Sequence, residues 1–233
     1  MRLILASASP RRAELLQSAG YHFEIVVADV DESIRAGESP SMYVRRLAAD
    51  KSAAAMVRVL ADLEDRATPP TADLTVGATP PTADLKVCTT SDAPMGDVVQ
   101  AFRPADIIVL GADTTVVVDG ELLGKPRDDG DARDMLRRLA GKAHQVLTGV
   151  SLRQGACEVG RVETTAVTFR ALTDDDISWY VESREWRDKA GGYAIQGLAS
   201  RFIPAITGSY SSVVGLPLAC VDELLRSLLA SRL

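Results

Sequence analysis

The run DIIVLGADTTVVVDGELLGKP, residues 106–126, constrains this chain more than any other stretch. It is crowded with Ile, Val and Leu, and its β-branched side chains favour extended backbone. The pattern predicts a buried strand over IIVL, a Gly-Ala-Asp turn, a second strand over TTVVV, and a hairpin turn at Asp119-Gly120. Asp113 then falls at the junction of two strands. A carboxylate there is hydrogen-bonded, paired or bound to a metal, or it caps the backbone turn that follows.

Strand and helix patterns alternate around this run. Leu3 to Ala6 reads as a buried strand leading into a helix in SASPRRAELLQSAG, with Ser9 capping, Pro10 in the first turn, Leu15, Leu16 and Ala19 on one face, and Gly20 just past the end. Phe23 to Val27 is a second strand, ended by ADVDES. The longest helical pattern follows, SPSMYVRRLAADKSAAAMVRVLADL, with Ser39 capping, Pro40 in the first turn, and Val44, Leu47, Ala48, Lys51 and Ala55 on one face. Further on, a helix from about Asp131 to Ala140 ends at Gly141, and QVLTGVSLR and VETTAVTFRAL add sheet. Thr173 with Asp176 opens another helix, and VDELLRSLLASRL is an amphipathic one. The glycines of KAGGYAIQGLASRFIPAITGSYSSVVGLPL suggest close backbone packing or ligand approach.

Residues 62–104 break the alternation. They are rich in Pro, Thr, Asp and Gly, and the heptapeptide TPPTADL occurs in them twice, at 68–74 and 79–85. Such a segment buries too little apolar surface to offset its ordering entropy, so a flexible insertion formed by tandem duplication is expected. A hairpin from the DLTV and DLKV runs is the structural alternative.

Charge narrows the classes of function. A net charge of -6 and a pI near 5.0 argue against wrapping nucleic acid or an anionic membrane surface, which demand a broadly basic face. Any anion site must therefore be local. Cys88, Cys157 and Cys220 are few and far apart, which suits a reducing compartment and predicts a cytoplasmic protein. The opening MRLILASASP has too short an apolar run for a secretory leader, and no segment approaches a membrane span. With only His22 and His144, a histidine-rich metal site is excluded, which points to a hard ion such as magnesium or manganese held by carboxylates, phosphates and water.

Within that acidic chain, Arg11 and Arg12 sit where a helix dipole is positive, an arrangement that invites an anion beside Ser7 and free backbone N–H groups. The competing reading is an exposed helix whose arginines pair with acids. Lys51 either snorkels past its apolar neighbours or aims at an anion in a cleft, and Lys125 is either an exposed turn residue or a point charge for a phosphate. Asp31 and Glu32 in VDES offer a second acidic group beside Asp113, unless VDES is a solvated loop. Cations for phosphates together with carboxylates for a divalent ion form the inventory for metal-assisted attack of water on phosphorus.

Seven ordered strings, LILASASPRRAELL, FEIVVADVDES, YVRRLAADKS, GADTTVVVDGELLGKP, GKAHQVLTGVSL, DKAGGYAIQG and GSYSSVVGLPL, resemble the Maf family of septum formation proteins. Specifically, they resemble its branch of nucleoside triphosphate pyrophosphatases acting on dTTP and UTP. The resemblance runs from residue 2 to about residue 225, with 62–104 as the exception. It implies one α/β domain over residues 1–233, similar to the inosine triphosphate pyrophosphatases, with a long twisted mixed sheet, flanking helices, two lobes around a cleft, and a homodimer. It implies hydrolysis between the α and β phosphorus atoms with a divalent metal. On the motif match, Asp113 takes the position of the proton acceptor, and Arg11, Thr114 and Gln196 take positions tied to base selection. Ser7, Arg12, Glu32, Lys51 and Lys125 take positions expected to hold phosphates or metal, with Glu32 and Asp113 the metal candidates. The amide of Gln196 can donate and accept at once, matching the O4 and N3–H edge of uracil or thymine. Arg11, Thr114 and IQG separate this branch from the sister branch acting on 7-methyl-GTP. The alternative implied by the family's older name is a nucleotide-binding regulator of cell division that does not turn its ligand over.

Overall fold

The computed structural model describes residues 1–67 and 106–230. Among them, seven strands form one mixed sheet in the order β2-β1-β3-β5-β6-β7, with β4 paired to β3. Strands β1 (Arg2–Ala6) and β2 (Glu24–Ile25) run parallel, as do β1 and β3 (Ile107–Val118). The remaining strands, β4 (Glu121–Leu123), β5 (Ala143–Gln154), β6 (Cys157–Thr168) and β7 (Ala205–Thr207), all pair antiparallel. The mixed sheet with flanking helices is the α/β architecture expected.

The Gly-Ala-Asp turn is not formed. β3 is one continuous twelve-residue strand, and Gly111 lies inside it. The glycine is needed because helix α2 (Pro40–Ala67) lies so close that a Cβ at position 111 would strike the backbone carbonyl of Ala48. Gly149 of β5 answers the same demand beneath the carbonyl of Val44. Both glycines thus let a helix backbone rest directly on the sheet.

Alternation along β3 sorts the core. Ile107 and Val109 face α2, where they pack with Ala55, Met56 and Val59, and Val117 meets Val44 and Leu147 on the same side. On the opposite face, Ile108, Leu110 and Ala112 join Leu3, Leu5 and Leu16 beneath α6 (Leu218–Ala230). Val116 and Val118 join a separate core with Leu136, Phe169, Tyr180 and Phe202, built on α3 (Asp129–Leu139) and α4 (Asp174–Glu182). Leu15 of α1 (Pro10–Ser18) is packed against both of these cores. Burying each such Leu, Ile or Val contributes about 1.5–3 kcal/mol before entropy is counted.

Local signals hold in part. Asp119 and Gly120 turn the β3–β4 hairpin with φ of 51° and 82°, as the two-residue turn requires. The Thr173–Asp176 capping box is present, and Gly20 follows α1 with φ of 81°. Ser9 stands at the N-cap of α1 without a side-chain cap, and its backbone N–H donates to Ser7 Oγ at 3.2 Å. Ala19 is exposed and only Leu16 is fully buried, so the apolar face of α1 is narrower than expected. β2 covers two residues of the five expected, and α3 begins two residues early because Asp128 caps it. Residues 62–67, placed in the flexible insertion from sequence, continue α2, where Leu60 and Leu63 pack against the Met56–Val59 cluster. The rest of that expected segment, with both TPPTADL copies, the alternative hairpin and Cys88, lies outside the described residues, as do residues 231–233. No helix among the described residues is long and apolar enough to cross a membrane.

One feature of the pairing prepares the site. β1 accompanies β3 only as far as Ala6 opposite Gly111, and β4 joins the same edge only from Val116. Between them, residues 112–115 have no strand neighbour on that side among the described residues, while β5 pairs continuously on the other.

Candidate active site

A cleft of about 640 Å³ opens at this gap in the sheet edge. All nine residues singled out from sequence line it: Ser7, Arg11, Arg12, Glu32, Lys51, Asp113, Thr114, Lys125 and Gln196. Because Asp113 and Thr114 are successive strand residues, their side chains leave β3 on opposite faces. The cleft wraps the open edge and reaches both.

On the α2 face, Lys51 Nζ sits 2.6 Å from Asp113 Oδ1 and 2.7 Å from Glu32 Oε1. Lys51 and Asp113 are each less than a tenth exposed, so the lysine does not snorkel to solvent. The seating of α2 on Gly111 brings Lys51, one turn beyond Ala48, within reach of the acid two residues along β3. Burial pushes the Glu32 carboxyl up, but the hydrogen bond and charge of Lys51, with the charges of Lys125 and Arg12, outweigh it and hold the group below its usual value. Both carboxylates therefore face one cation position.

Glu32 reaches that position because α2 grips the loop that carries it. Tyr43 donates its hydroxyl to the Glu32 carbonyl at 3.0 Å, and Arg46 donates to the carbonyls of Ser33 at 2.9 Å and Asp31 at 3.4 Å. Arg46 is itself fastened to Glu38 at 2.6 and 2.9 Å, and Arg58 donates to the Val27 carbonyl. Burial, together with the negative charges of Asp113 and Glu32, pushes the Tyr43 phenol up to about 12, so it remains a donor. Neither Tyr43 nor Arg46 stood out from sequence. Their three-residue spacing in YVRR, one helix face, was the available signal.

On the other face, Arg12 spends its guanidinium on the protein. Nε donates to the Gly215 carbonyl at 2.8 Å, Nη1 to Ser7 Oγ at 3.1 Å and Nη2 to Thr114 Oγ1 at 3.2 Å. It ties α1, β3 and the turn after α5 (Tyr210–Val214) into one wall, and burial pulls its pKa below the ordinary arginine value. Arg11 is half-buried, its pKa likewise lowered by burial, and its field is shared with Asp188. The opposite wall is the segment 188–196. There Gly191, with φ of 68°, presses against Val116, and its N–H reaches the Gly124 carbonyl at 2.9 Å, joining the Gln196 segment to the turn that carries Lys125. Tyr193, a further wall residue not recognised from sequence, bonds His144 Nε2 at 2.7 Å.

No group of three or more His, Cys, Asp or Glu positioned for a metal occurs among the described residues. Glu32 and Asp113, joined through Lys51, are the carboxylates brought together on this wall. Their hard oxygen donors suit a cation such as magnesium or manganese better than a soft metal.

Comparison with known proteins accords with this geometry. The model of the family described as Maf-like protein matches residues 2–228. The chain is 42% identical over 231 residues to the dTTP/UTP pyrophosphatase of Syntrophus aciditrophicus, covering 97% of this chain and 90% of that one. It is 41% identical over 224 residues to the dTTP/UTP pyrophosphatase of Vibrio cholerae, with 96% of each covered, and 43% identical over 227 residues to that of Hahella chejuensis, covering 97% and 91%. A match of this length, over a cleft that collects every motif residue, shows that the chain belongs to the Maf-like family.

Proposed function

We propose that this protein hydrolyses dTTP and UTP between the α and β phosphorus atoms, releasing the nucleoside monophosphate and pyrophosphate. The observation that carries the reading is the Glu32–Lys51–Asp113 array at the open edge of β3, ringed by Arg11, Arg12 and Lys125 in one cleft. Relatives named dTTP/UTP pyrophosphatase, similar over nearly the whole chain, support the substrate class.

In this reading Asp113 accepts a proton from the attacking water, and the Lys51 ammonium bridges Asp113 and Glu32. Arg11 and Lys125 draw the triphosphate into an otherwise acidic molecule, and the positive N-terminal turn of α1 faces the same space. Gln196 reads the base by donating and accepting through one amide. Glu32 and Asp113 would hold a magnesium or manganese ion, which when bound supplies charge neutralisation at the phosphates. The protein is further inferred to work in the cytoplasm as a homodimer on free nucleotides rather than nucleic acid. Family resemblance and the acidic surface charge support those points.

Purified protein incubated with dTTP, UTP, CTP, GTP and 7-methyl-GTP, with magnesium or manganese, tests the reading. Pyrophosphate from dTTP and UTP is expected, and none from either would overturn it. Nucleotide-dependent thermal stabilisation without product would favour a regulator instead. Asp113→Asn should remove turnover while the circular dichroism of the fold is retained.

A further inference from the structure

Thr114 and Thr148 are direct cross-strand partners on β3 and β5, with their hydroxyl oxygens 3.0 Å apart. Thr148 is completely buried, and its hydroxyl also lies 2.9 Å from the carbonyl of Ser212, in the last turn of α5. A carbonyl can only accept, so the single proton of Thr148 is committed to Ser212. Thr148 must then accept from Thr114. The other protein acceptor near Thr114 is the Gly215 carbonyl at 3.4 Å, which already takes Arg12 Nε at 2.8 Å. That carbonyl is both farther and already shared, so the Thr114 proton goes to Thr148 and points into the protein. Arg12 Nη2 fills one of its lone pairs, which leaves one lone pair and no proton for the cleft.

We infer that Thr148 is a positioning residue that fixes the Thr114 hydroxyl as an acceptor, so that this wall of the cleft demands an N–H from the substrate base. The inference rests on the pyrimidine triphosphate reading above and deepens it. Uracil and thymine present an imino N–H at ring position 3, whereas cytosine presents a bare nitrogen there. A free threonine hydroxyl could rotate to serve either. One whose proton is held by a buried chain of Thr148 and Ser212 serves only the donor, and a bare nitrogen opposite it leaves two acceptors facing each other.

The test is the ratio of kcat/KM for UTP to that for CTP, which share ribose and triphosphate and differ only along the base edge. Thr148→Val removes the acceptor and releases the Thr114 proton, so the ratio is expected to fall about tenfold, the size of one mismatched hydrogen bond. Thr148→Ser keeps the hydroxyl and should restore the ratio of the unmodified protein, whatever either variant does to melting temperature. The ratio of dUTP to UTP should stay constant throughout. An equal loss for UTP and CTP in Thr148→Val, or no change in the ratio, would overturn the inference. A change confined to dUTP against UTP would also overturn it, by assigning the donor to the ribose hydroxyl. Failure of the unmodified protein to hydrolyse UTP and dTTP would instead defeat the underlying reading, so the two failures are distinguishable.

Discussion

Replacing Lys51 with methionine removes the ammonium between Glu32 and Asp113 and keeps most of the side-chain volume. The side chains of Lys51 and Asp113 are 11% and 12% exposed, so this is a buried pair, and breaking one by removing a single partner costs about 3–5 kcal/mol. Glu32 is 52% exposed, so solvent screens its share to no more than about 1 kcal/mol. For a chain of this size each kcal/mol moves the midpoint by about 2–4 °C, which places the loss at roughly 6–24 °C near pH 7. The dependence on pH has a definite sign. In the unmodified protein the Glu32 carboxyl lies below its ordinary value of 4.5, so its stabilisation is present above that pH and is lost as pH falls through the folded value. Without Lys51, the burial that opposes ionisation of Glu32 is offset only by the charges of Lys125 and Arg12, so the stabilisation present above pH 4.5 shrinks in the variant. The gap between the two proteins should therefore be widest near pH 7 and should narrow towards pH 4. Thermal unfolding followed by circular dichroism at both pH values measures it. A loss under about 2 °C at pH 7, or an equal loss at both, would refute a buried acid–ammonium–acid array.

Two further outcomes are expected. Arg46→Met frees the carbonyls of Asp31 and Ser33, so steady-state kinetics should show kcat reduced about tenfold or more through misplacement of Glu32, and because it also strips the buried Glu38 of its partner the melting temperature should fall about as far as in the Lys51 variant. An unchanged kcat would mean that Tyr43 suffices. Burial holds the His144 imidazole down at about 4 against an ordinary 6.5. The unfolded chain then takes the proton first as pH drops, and stability should decline from pH 6.5 towards pH 4 by up to about 3 kcal/mol. Urea titrations across that range should show the decline in the unmodified protein and a flatter limb in His144→Gln.

Much of this molecule was legible locally. The β-branched run at 107–118, the Asp119-Gly120 turn, the Thr173–Asp176 box and the face of α2 shared by Val44, Leu47, Ala48 and Lys51 all follow from periodicity and capping, which depend on residues a few positions apart. The nine residues singled out in the motif strings likewise all line the cleft. What they could not supply was the meaning of Gly111, which looks like a turn and is a strand residue making room for a helix more than fifty positions earlier. Nor could they show that Lys51 joins Asp113 to Glu32, that Tyr43 and Arg46 hold the acidic loop, or that Arg12 braces the wall with Thr114. Chain periodicity determined which elements form and which faces they bury. Close approach of backbones from distant parts of the chain decided where β3 loses its neighbour, and so where a ligand can reach both faces of the sheet at once.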